Sequence, residues 1–188
     1  MVHKIFIAIS ILWVLSEILI GRLTYHRSPA AKNCDRQTLR WLWVTISLSV
    51  TAGAWLGMAG VGHLPALNRV APPLAVILVL SGLLIRWTAF ITLRRYFTSN
   101  VAILENHQLV QHGIYGIIRH PAYAGSLLSF LGLGIYFRSW VSLLVIFVPI
   151  LLVFLKRIQT EERALQEAFG DAYRAYSQSV KRLIPKIF

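Results

Sequence analysis

The sequence predicts an all-α integral membrane bundle of about five transmembrane helices with a cytosolic pocket and a C-terminal amphipathic helix. Three observations lead to this prediction. The 188 residues are 56% apolar and only 14% charged, the mean hydropathy is +0.63, and the apolar residues fall in long runs. A soluble domain carries about 25% charged residues. Segments that cross lipid must pair their own backbone polar groups, so such runs are expected to be helices.

Five apolar runs approach or exceed the roughly 17–25 residues that a membrane span needs. The fourth run is short, so its helix either stops before the far side or begins earlier, at Pro121, a residue suited to a first helical turn. We expect a single domain over 1–188, with three spans in 1–93 and a polar loop, a helical hairpin and a terminal helix in 94–188. The runs are Ile5–Gly21, Leu42–Val61, Pro73–Leu93, Tyr123–Phe137 and Ser139–Leu155.

The net charge of +12 is distributed in a way that indicates topology rather than nucleic-acid binding. Lys and Arg concentrate after the first, third and fifth spans, whereas the other connections contain only Arg69 and Arg138. The positive-inside rule then places the polar loop and the C-terminal tail together in the cytosol. We expect a prokaryotic cytoplasmic membrane, with an internal eukaryotic membrane as the alternative.

Two further features predict how the helices are held. Glu17 and Arg86 lie inside the first and third spans, near the cytosolic end of each, so we expect them to pair or Arg86 to extend to the interface. The segment Gln159–Val180 is predicted to form one amphipathic helix that lies on the membrane surface or covers the bundle. Its apolar stripe consists of Leu165, Phe169, Tyr173, Tyr176 and Val180.

The polar segment 107–123 is the strongest indication of function, because polar groups this close to a membrane usually bind or react. Its three histidines have no metal-binding spacing and no cysteine partners, so no metal site is expected. No serine sits in a G-x-S-x-G turn, and no G-x-G-x-x-G follows a strand. The polar side chains of this segment are His107, Gln108, Gln111, His112, Tyr115, Arg119, His120 and Tyr123.

These residue types suit a cationic cofactor such as S-adenosylmethionine, whose positive groups are bound by aromatic faces and carboxylates. Methyl transfer to a carboxylate needs alignment more than acid–base chemistry, since the acceptor is already ionised at neutral pH. Arg157 could hold that carboxylate in a bidentate grip. It lies one helical turn before Glu161, so one helix could present an acceptor anchor and a cofactor anchor. An ordinary interfacial ion pair is the alternative.

The compound motif H-Q-L-V-x-x-G-x-Y-x-x-x-R-H-P-x-Y-x-G, followed by R-x-x-x-E-E and F-G-x-x-Y-x-x-Y, resembles the isoprenylcysteine carboxyl methyltransferase family. The resemblance covers about Tyr96 to Pro185. It implies a membrane enzyme that transfers a methyl group from S-adenosylmethionine to the carboxylate of an isoprenylcysteine or a similar lipophilic acceptor, which reaches the site from the lipid bilayer. A phospholipid or amine N-methyltransferase and a non-catalytic scaffold or small-molecule channel are the alternatives.

The resemblance also assigns roles to individual residues. It implies that Arg157 anchors the substrate carboxylate. The cofactor-binding residues that it implies are His107, Gln108, Leu109, Val110, Tyr115, His120, Pro121, Ala122, Tyr123 and Glu161.

Overall fold

The computed structural model describes residues 2–25, 36–97 and 108–188. Within these ranges the regular structure is entirely helical, which confirms the predicted fold class. Short 3-10 turns at 65–67, 94–96 and 113–116 link the longer elements. The α-helices are α1 (Val2–Tyr25), α2 (Arg36–Met58), α3 (Ala71–Leu93), α4 (Pro121–Tyr136), α5 (Trp140–Phe169) and α6 (Asp171–Ser179).

Across the described ranges, four helices are long and apolar enough to cross a membrane: α1, α2, α3 and α5. The remaining hydrophobic helix, α4, has 16 residues and begins at Pro121. This confirms the expectation that the fourth helix starts before its apolar run. At 1.5 Å per residue it is about 24 Å long, less than the roughly 30 Å of a hydrocarbon core. The chain is thus a multi-pass membrane bundle in which the fourth helix is a short, largely internal one.

The second predicted span was too long at its C-terminal end. α2 stops at Met58 because Gly60 and Gly62 adopt φ of +76° and +66°, conformations that end a helix. The turn that follows packs against the α4–α5 connection, where the Ser139 hydroxyl donates to the Val61 carbonyl at 2.6 Å. The same oxygen accepts the Ser142 amide at 3.0 Å and caps α5. This contact fixes the end of the bundle opposite the polar segment.

The single amphipathic helix predicted for Gln159–Val180 is wrong. α5 continues from the membrane span to Phe169, and Gly170, with φ of +53°, separates it from α6. Between Leu155 and that glycine the sequence contains no Pro or Gly that would interrupt the helix. The predicted stripe still faces inward across the break, since Tyr173 and Tyr176 of α6 are both buried. The tail therefore turns back over the end of the bundle.

Helices pack closely at small residues, most closely where α3 meets α4. A Cβ added at Gly125 would lie 2.6 Å from the Gly82 carbonyl oxygen and 2.9 Å from the Arg86 amide nitrogen. A Cβ at Gly82 would in turn overlap the Gly125 carbonyl oxygen. Two backbones this close bring α4 against α3 along the centre of the bundle.

The expected pairing of Glu17 with Arg86 is also confirmed. The Arg86 Nη2 donates to Glu17 Oε2 at 2.6 Å, and Nε forms a second, closer ion pair with the same carboxylate. A third contact was not expected: Nη1 donates to the Ala122 carbonyl oxygen at 3.2 Å. One guanidinium thus joins α1 and α3 to the first turn of α4, where the polar segment enters the bundle.

We predict that Gly125→Ala destabilises the fold, because its methyl group would meet backbone atoms that cannot rotate away. Overpacking costs about 1–3 kcal/mol, which lowers the melting temperature by about 5 °C in a chain of this size. Gly21→Ala is the matched control, since its Cβ would meet nothing within 4 Å. Thermal unfolding of both variants in detergent measures the difference; equal melting temperatures would contradict the packing described here.

Candidate active site

The polar segment enters the bundle through a turn that buries Tyr115. Gly113 begins this turn with φ of +60°, and Tyr115 is 8% exposed. The Tyr176 hydroxyl of α6 donates to the Tyr115 carbonyl oxygen at 2.6 Å. Burial raises the pKa of Tyr176 to about 12 and raises that of Tyr115 further, with the nearby Glu161 charge adding to the effect on Tyr115. Both phenols are therefore neutral hydrogen-bonding groups.

The stretch before α4 is paired with the C-terminal tail as a short parallel bridge. The Arg119 amide donates to the Lys181 carbonyl at 2.7 Å, and the His120 amide donates to the Arg182 carbonyl at 3.0 Å. Residues sixty positions apart are thereby held side by side. Because α4 begins at Pro121, this pairing fixes both the backbone of His120 and the direction in which α4 leaves the site.

The Tyr123 hydroxyl links the two residues of α5 that were predicted to anchor the acceptor and the cofactor. Arg157 Nε donates to this hydroxyl at 3.0 Å, and the hydroxyl donates to Glu161 Oε2 at 2.9 Å. Arg157 is 6% exposed, whereas the Glu161 side chain is 33% exposed. A buried cation and a partly accessible carboxylate thus lie within two hydrogen bonds of each other.

Glu162, the neighbour of Glu161, is the centre of a separate charged cluster. Its oxygens accept hydrogen bonds from Arg119 at 2.8 and 3.2 Å and from Arg182 at 2.7 to 3.1 Å. Arg119 Nη1 also donates to the carbonyl oxygens of Ser177 and Val180 in the tail. We call Glu162, Arg119 and Arg182 the Glu162 clamp. It joins α5, the start of α4 and the tail at one half-buried point.

His120 lies between the clamp and the Tyr123 bridge. Its Nε2 is 3.3 Å from Glu162 Oε1, and its Nδ1 is 4.0 Å from Glu161 Oε1. The ring contacts the edge of the Tyr123 ring, with 5.8 Å between centroids. The two neighbouring glutamates of α5 therefore have different surroundings, one enclosed by guanidinium groups and one facing the tyrosines and the site.

The structure brings five of the predicted site residues together: Tyr115, His120, Tyr123, Arg157 and Glu161. Pro121 is buried at the helix start, and the Ala122 carbonyl is the oxygen bound by Arg86. Gln108 is exposed and Leu109 and Val110 are half-buried in the irregular stretch before the turn, and their roles stay predictions. His107 lies outside the described residues.

The Glu162 clamp was not predicted from the sequence. Arg119 was listed among the polar side chains of the segment with no partner named, and Arg182 was counted only as a charge of the tail, yet both bind one carboxylate. Two signals were available: an acidic pair at the base of a span, and an arginine directly before the histidine of the R-H-P motif. Neither signal specifies which acid Arg119 binds. The second partner, Arg182, comes from the tail and is twenty residues away from Glu162 along the chain.

The donor set of the site fits a cationic organic cofactor. A carboxylate with partial access, Glu161, lies beside two neutral tyrosines and an imidazole, which are groups that stabilise a positive charge. Within residues 2–25, 36–97 and 108–188, no three His, Cys, Asp or Glu side chains form a metal-binding group. That no metal takes part stays a prediction from the sequence.

Comparison with known proteins identifies the family. The profile of the family described as phospholipid methyltransferase matches residues 70–172, more than half of the chain and the part that contains the site. The chain therefore belongs to this family of membrane methyltransferases.

Several of the similar proteins are named isoprenylcysteine methyltransferases, which confirms the resemblance seen in the motif. Protein-S-isoprenylcysteine O-methyltransferase A of Arabidopsis thaliana is 37% identical over 58% of this chain and 57% of its own length. The Schizosaccharomyces pombe enzyme of that name is 36% identical over 56% and 46%, respectively. The chain spans about half the length of these curated relatives.

A solved structure supports the fold as well. The eukaryotic intramembrane Ras methyltransferase, an isoprenylcysteine carboxyl methyltransferase, matches with a TM-score of 0.66 and 27% sequence identity. The match covers 75% of this chain and 52% of the other. The helical arrangement that frames the site is therefore shared with a membrane methyltransferase.

We predict that Arg119→Met destabilises the protein, because Glu162 loses one of its two guanidinium partners and keeps only Arg182 and the His120 contact. Loss of a hydrogen bond to a charged group costs about 1.5–3 kcal/mol, a drop in melting temperature on the order of 5 °C. Arg174→Met is the matched control: Arg174 pairs with Asp171, but the side chain is 65% exposed. An exposed pair of this kind contributes about 0–1 kcal/mol. Similar thermal shifts in the two variants would contradict a structural role for the clamp.

Proposed function

We propose that this member of the phospholipid methyltransferase family transfers a methyl group from S-adenosylmethionine to the carboxylate of an isoprenylcysteine or a similar lipophilic acceptor. The single observation that carries the proposal is the Tyr123 hydroxyl between Arg157 and Glu161. It joins a buried cation suited to a carboxylate acceptor to an accessible anion suited to a positively charged donor. An acceptor and a cofactor bound to these two groups would be neighbours.

S-adenosylmethionine supplies a methyl group on a positive sulfur, and transfer to a carboxylate oxygen breaks the C–S bond and forms an O–C bond without moving a proton. The residues of the site would then bind and orient. Glu161 and the faces of Tyr115 and Tyr123 would hold the positive groups of the cofactor, and Arg157 would fix the acceptor carboxylate. Holding two reactants in line contributes several kcal/mol to catalysis, on the order of 7–11 in favourable cases.

The tail would contribute by excluding water. α6 and the stretch after it cover the entry of the polar segment, with Tyr173, Tyr176 and Leu183 buried against it. A site closed in this way strengthens each electrostatic contact inside it and protects the cofactor from hydrolysis. The Glu162 clamp holds this cover in place.

The acceptor is proposed to reach the site from the bilayer, and the site to face the cytosol. The helices alternate in direction, so the ends next to the polar segment are the basic ones: Arg22, Arg40, Arg94 and Lys156 lie at that end of the bundle. Positive-inside bias makes this the cytosolic side. A prokaryotic cytoplasmic membrane remains our expectation for the location of the protein.

Partition into lipid would concentrate the acceptor beside the site, since each buried CH₂ of an isoprenoid adds about 0.8 kcal/mol.

An amine or phospholipid N-methyltransferase is the second candidate, because the matching profile is described by that activity. An amine must lose its proton before it can accept a methyl group. The site offers a guanidinium, Arg157, where the acceptor would lie, and a guanidinium repels an ammonium group while binding a carboxylate. The charge of the site thus favours the carboxylate acceptor.

We predict that Glu161→Gln and Arg157→Gln separate the two binding roles. Loss of a hydrogen bond to a charged group costs about 1.5–3 kcal/mol, or about 10- to 100-fold. Glu161→Gln should weaken S-adenosylhomocysteine binding by that factor in calorimetric titration. Arg157→Gln should raise the KM for the acceptor similarly and leave cofactor affinity within about twofold. Glu167→Gln, on the exposed side of α5, is the control. Unchanged cofactor affinity in Glu161→Gln would refute the assignment.

We predict that the product is a methyl ester. Protein supplied with radiolabelled S-adenosylmethionine and N-acetyl-farnesylcysteine should form a labelled product that releases methanol in base. The same assay with aminophospholipid vesicles should yield no base-stable label, because an N-methyl bond survives that treatment. Base-stable label in the lipid, with none in the prenylcysteine, would establish the amine alternative instead.

A further inference from the structure

The two ring nitrogens of His120 face different carboxylates, which allows the state of the ring to be deduced. Nε2 lies 3.3 Å from Glu162 Oε1, and Nδ1 lies 4.0 Å from Glu161 Oε1. The ring is buried, with His120 4% exposed. A neutral imidazole carries one N–H, and the partner of one nitrogen determines whether the other is a donor or an acceptor.

Glu162 can only accept hydrogen bonds. Both of its oxygens receive N–H groups from Arg119 or Arg182, so the carboxylate is held in its ionised form and has no hydrogen to donate. The contact with His120 is therefore a hydrogen bond only if Nε2 carries the hydrogen. Because two guanidinium groups already balance the charge of Glu162, the carboxylate does not require an additional positive charge on the imidazole.

The other nitrogen has no such requirement. At 4.0 Å, Nδ1 is outside hydrogen-bonding distance of Glu161, so that contact calls for no second N–H. The ring is buried and lies against the edge of the Tyr123 ring. The lone pair of Nδ1 is consequently directed toward the side on which Glu161 lies.

We infer that Glu162 is a positioning residue that fixes His120 as the Nε2–H tautomer and keeps Nδ1 as a hydrogen-bond acceptor in the site. The inference rests on the proposed function for its purpose: beside Glu161, an acceptor nitrogen suits an N–H group of a cationic cofactor such as its ammonium. The opposite tautomer would point an N–H at that cation and repel it. The two adjacent glutamates thus have distinct tasks, with Glu161 facing the ligand and Glu162 orienting the histidine.

The direct test is the protonation pattern of the histidine rings in the ligand-free protein. The full chain, labelled with ¹⁵N-histidine and held in detergent micelles, gives long-range ¹H–¹⁵N spectra in which the two tautomers have different nitrogen shifts. His120→Asn identifies the His120 signals. We expect a protonated Nε2 and an unprotonated Nδ1 at neutral pH. A protonated Nδ1, in either the neutral or the charged ring, would overturn the inference.

The role of Glu162 is tested by Glu162→Asp, which keeps the charge that both arginines need but withdraws the oxygens from His120 by one methylene. We expect the ring to become a mixture of tautomers and S-adenosylhomocysteine affinity to fall about tenfold, the lower end of the loss seen when partners of metal-bound histidines are changed. Glu167→Asp, exposed on the same helix, should change neither. If affinity falls while the tautomer stays the same, Glu162 has only a structural role and the inference is wrong.

These measurements also separate this inference from the proposed function. If the wild-type protein binds no S-adenosylhomocysteine, the proposed function fails, but the ring pattern in the ligand-free protein is still measured. If cofactor binds normally and Nδ1 carries the hydrogen, the function stands and the role of Glu162 is refuted. If Glu162→Asp does not fold, the wild-type spectrum alone decides the tautomer.

Discussion

The site depends on one ionised carboxylate, Glu162, held at the base of α5 by two guanidinium groups. A charge with little access to water is stable only when it is paired, so Arg119 and Arg182 together hold Glu162 at the base of α5. These partners come from the loop before α4 and from the tail, and they are brought together only by the fold. The start of α4, the base of α5 and the tail therefore cannot separate without exposing the Glu162 carboxylate to water or leaving it without its arginine partners.

The same principle operates at a second position, where Arg86 joins Glu17 to the Ala122 carbonyl. Between them, the two clusters fix both sides of the first turn of α4, which contains Tyr123. What lies between is the hydroxyl that connects Arg157 to Glu161. The residues proposed to bind ligands thus lie between two clusters of charged side chains, and the hydrogen bonds of those clusters hold the structure together. This division explains why two adjacent acids on one helix have such different surroundings.

Much of this arrangement could be predicted from the sequence, because hydrophobic run length and positive-inside bias are local properties. The helices, the Glu17–Arg86 pair and the meeting of the polar segment with α5 all followed from them or from the compound motif. The end of α2 and the break at Gly170 did not, since a glycine between apolar stretches is compatible with packing in a helix or with a turn. The clamp could not be predicted either: the choice of partner for Arg119 depends on a tail that folds back, which no periodicity encodes.

The short length of α4 has a consequence for the lipid at its far end. A helix of 16 residues at the centre of the bundle leaves several ångströms of hydrocarbon thickness unmatched. Its far end, at Tyr136, is flanked by Phe6 and Phe137 in an apolar groove of about 380 Å³ between α1 and α4. Hydrophobic mismatch of this kind is relieved by thinning of the surrounding leaflet or by lipid chains that fill the gap. The thickness of the bilayer therefore acts on α4, the helix whose opposite end positions Tyr123.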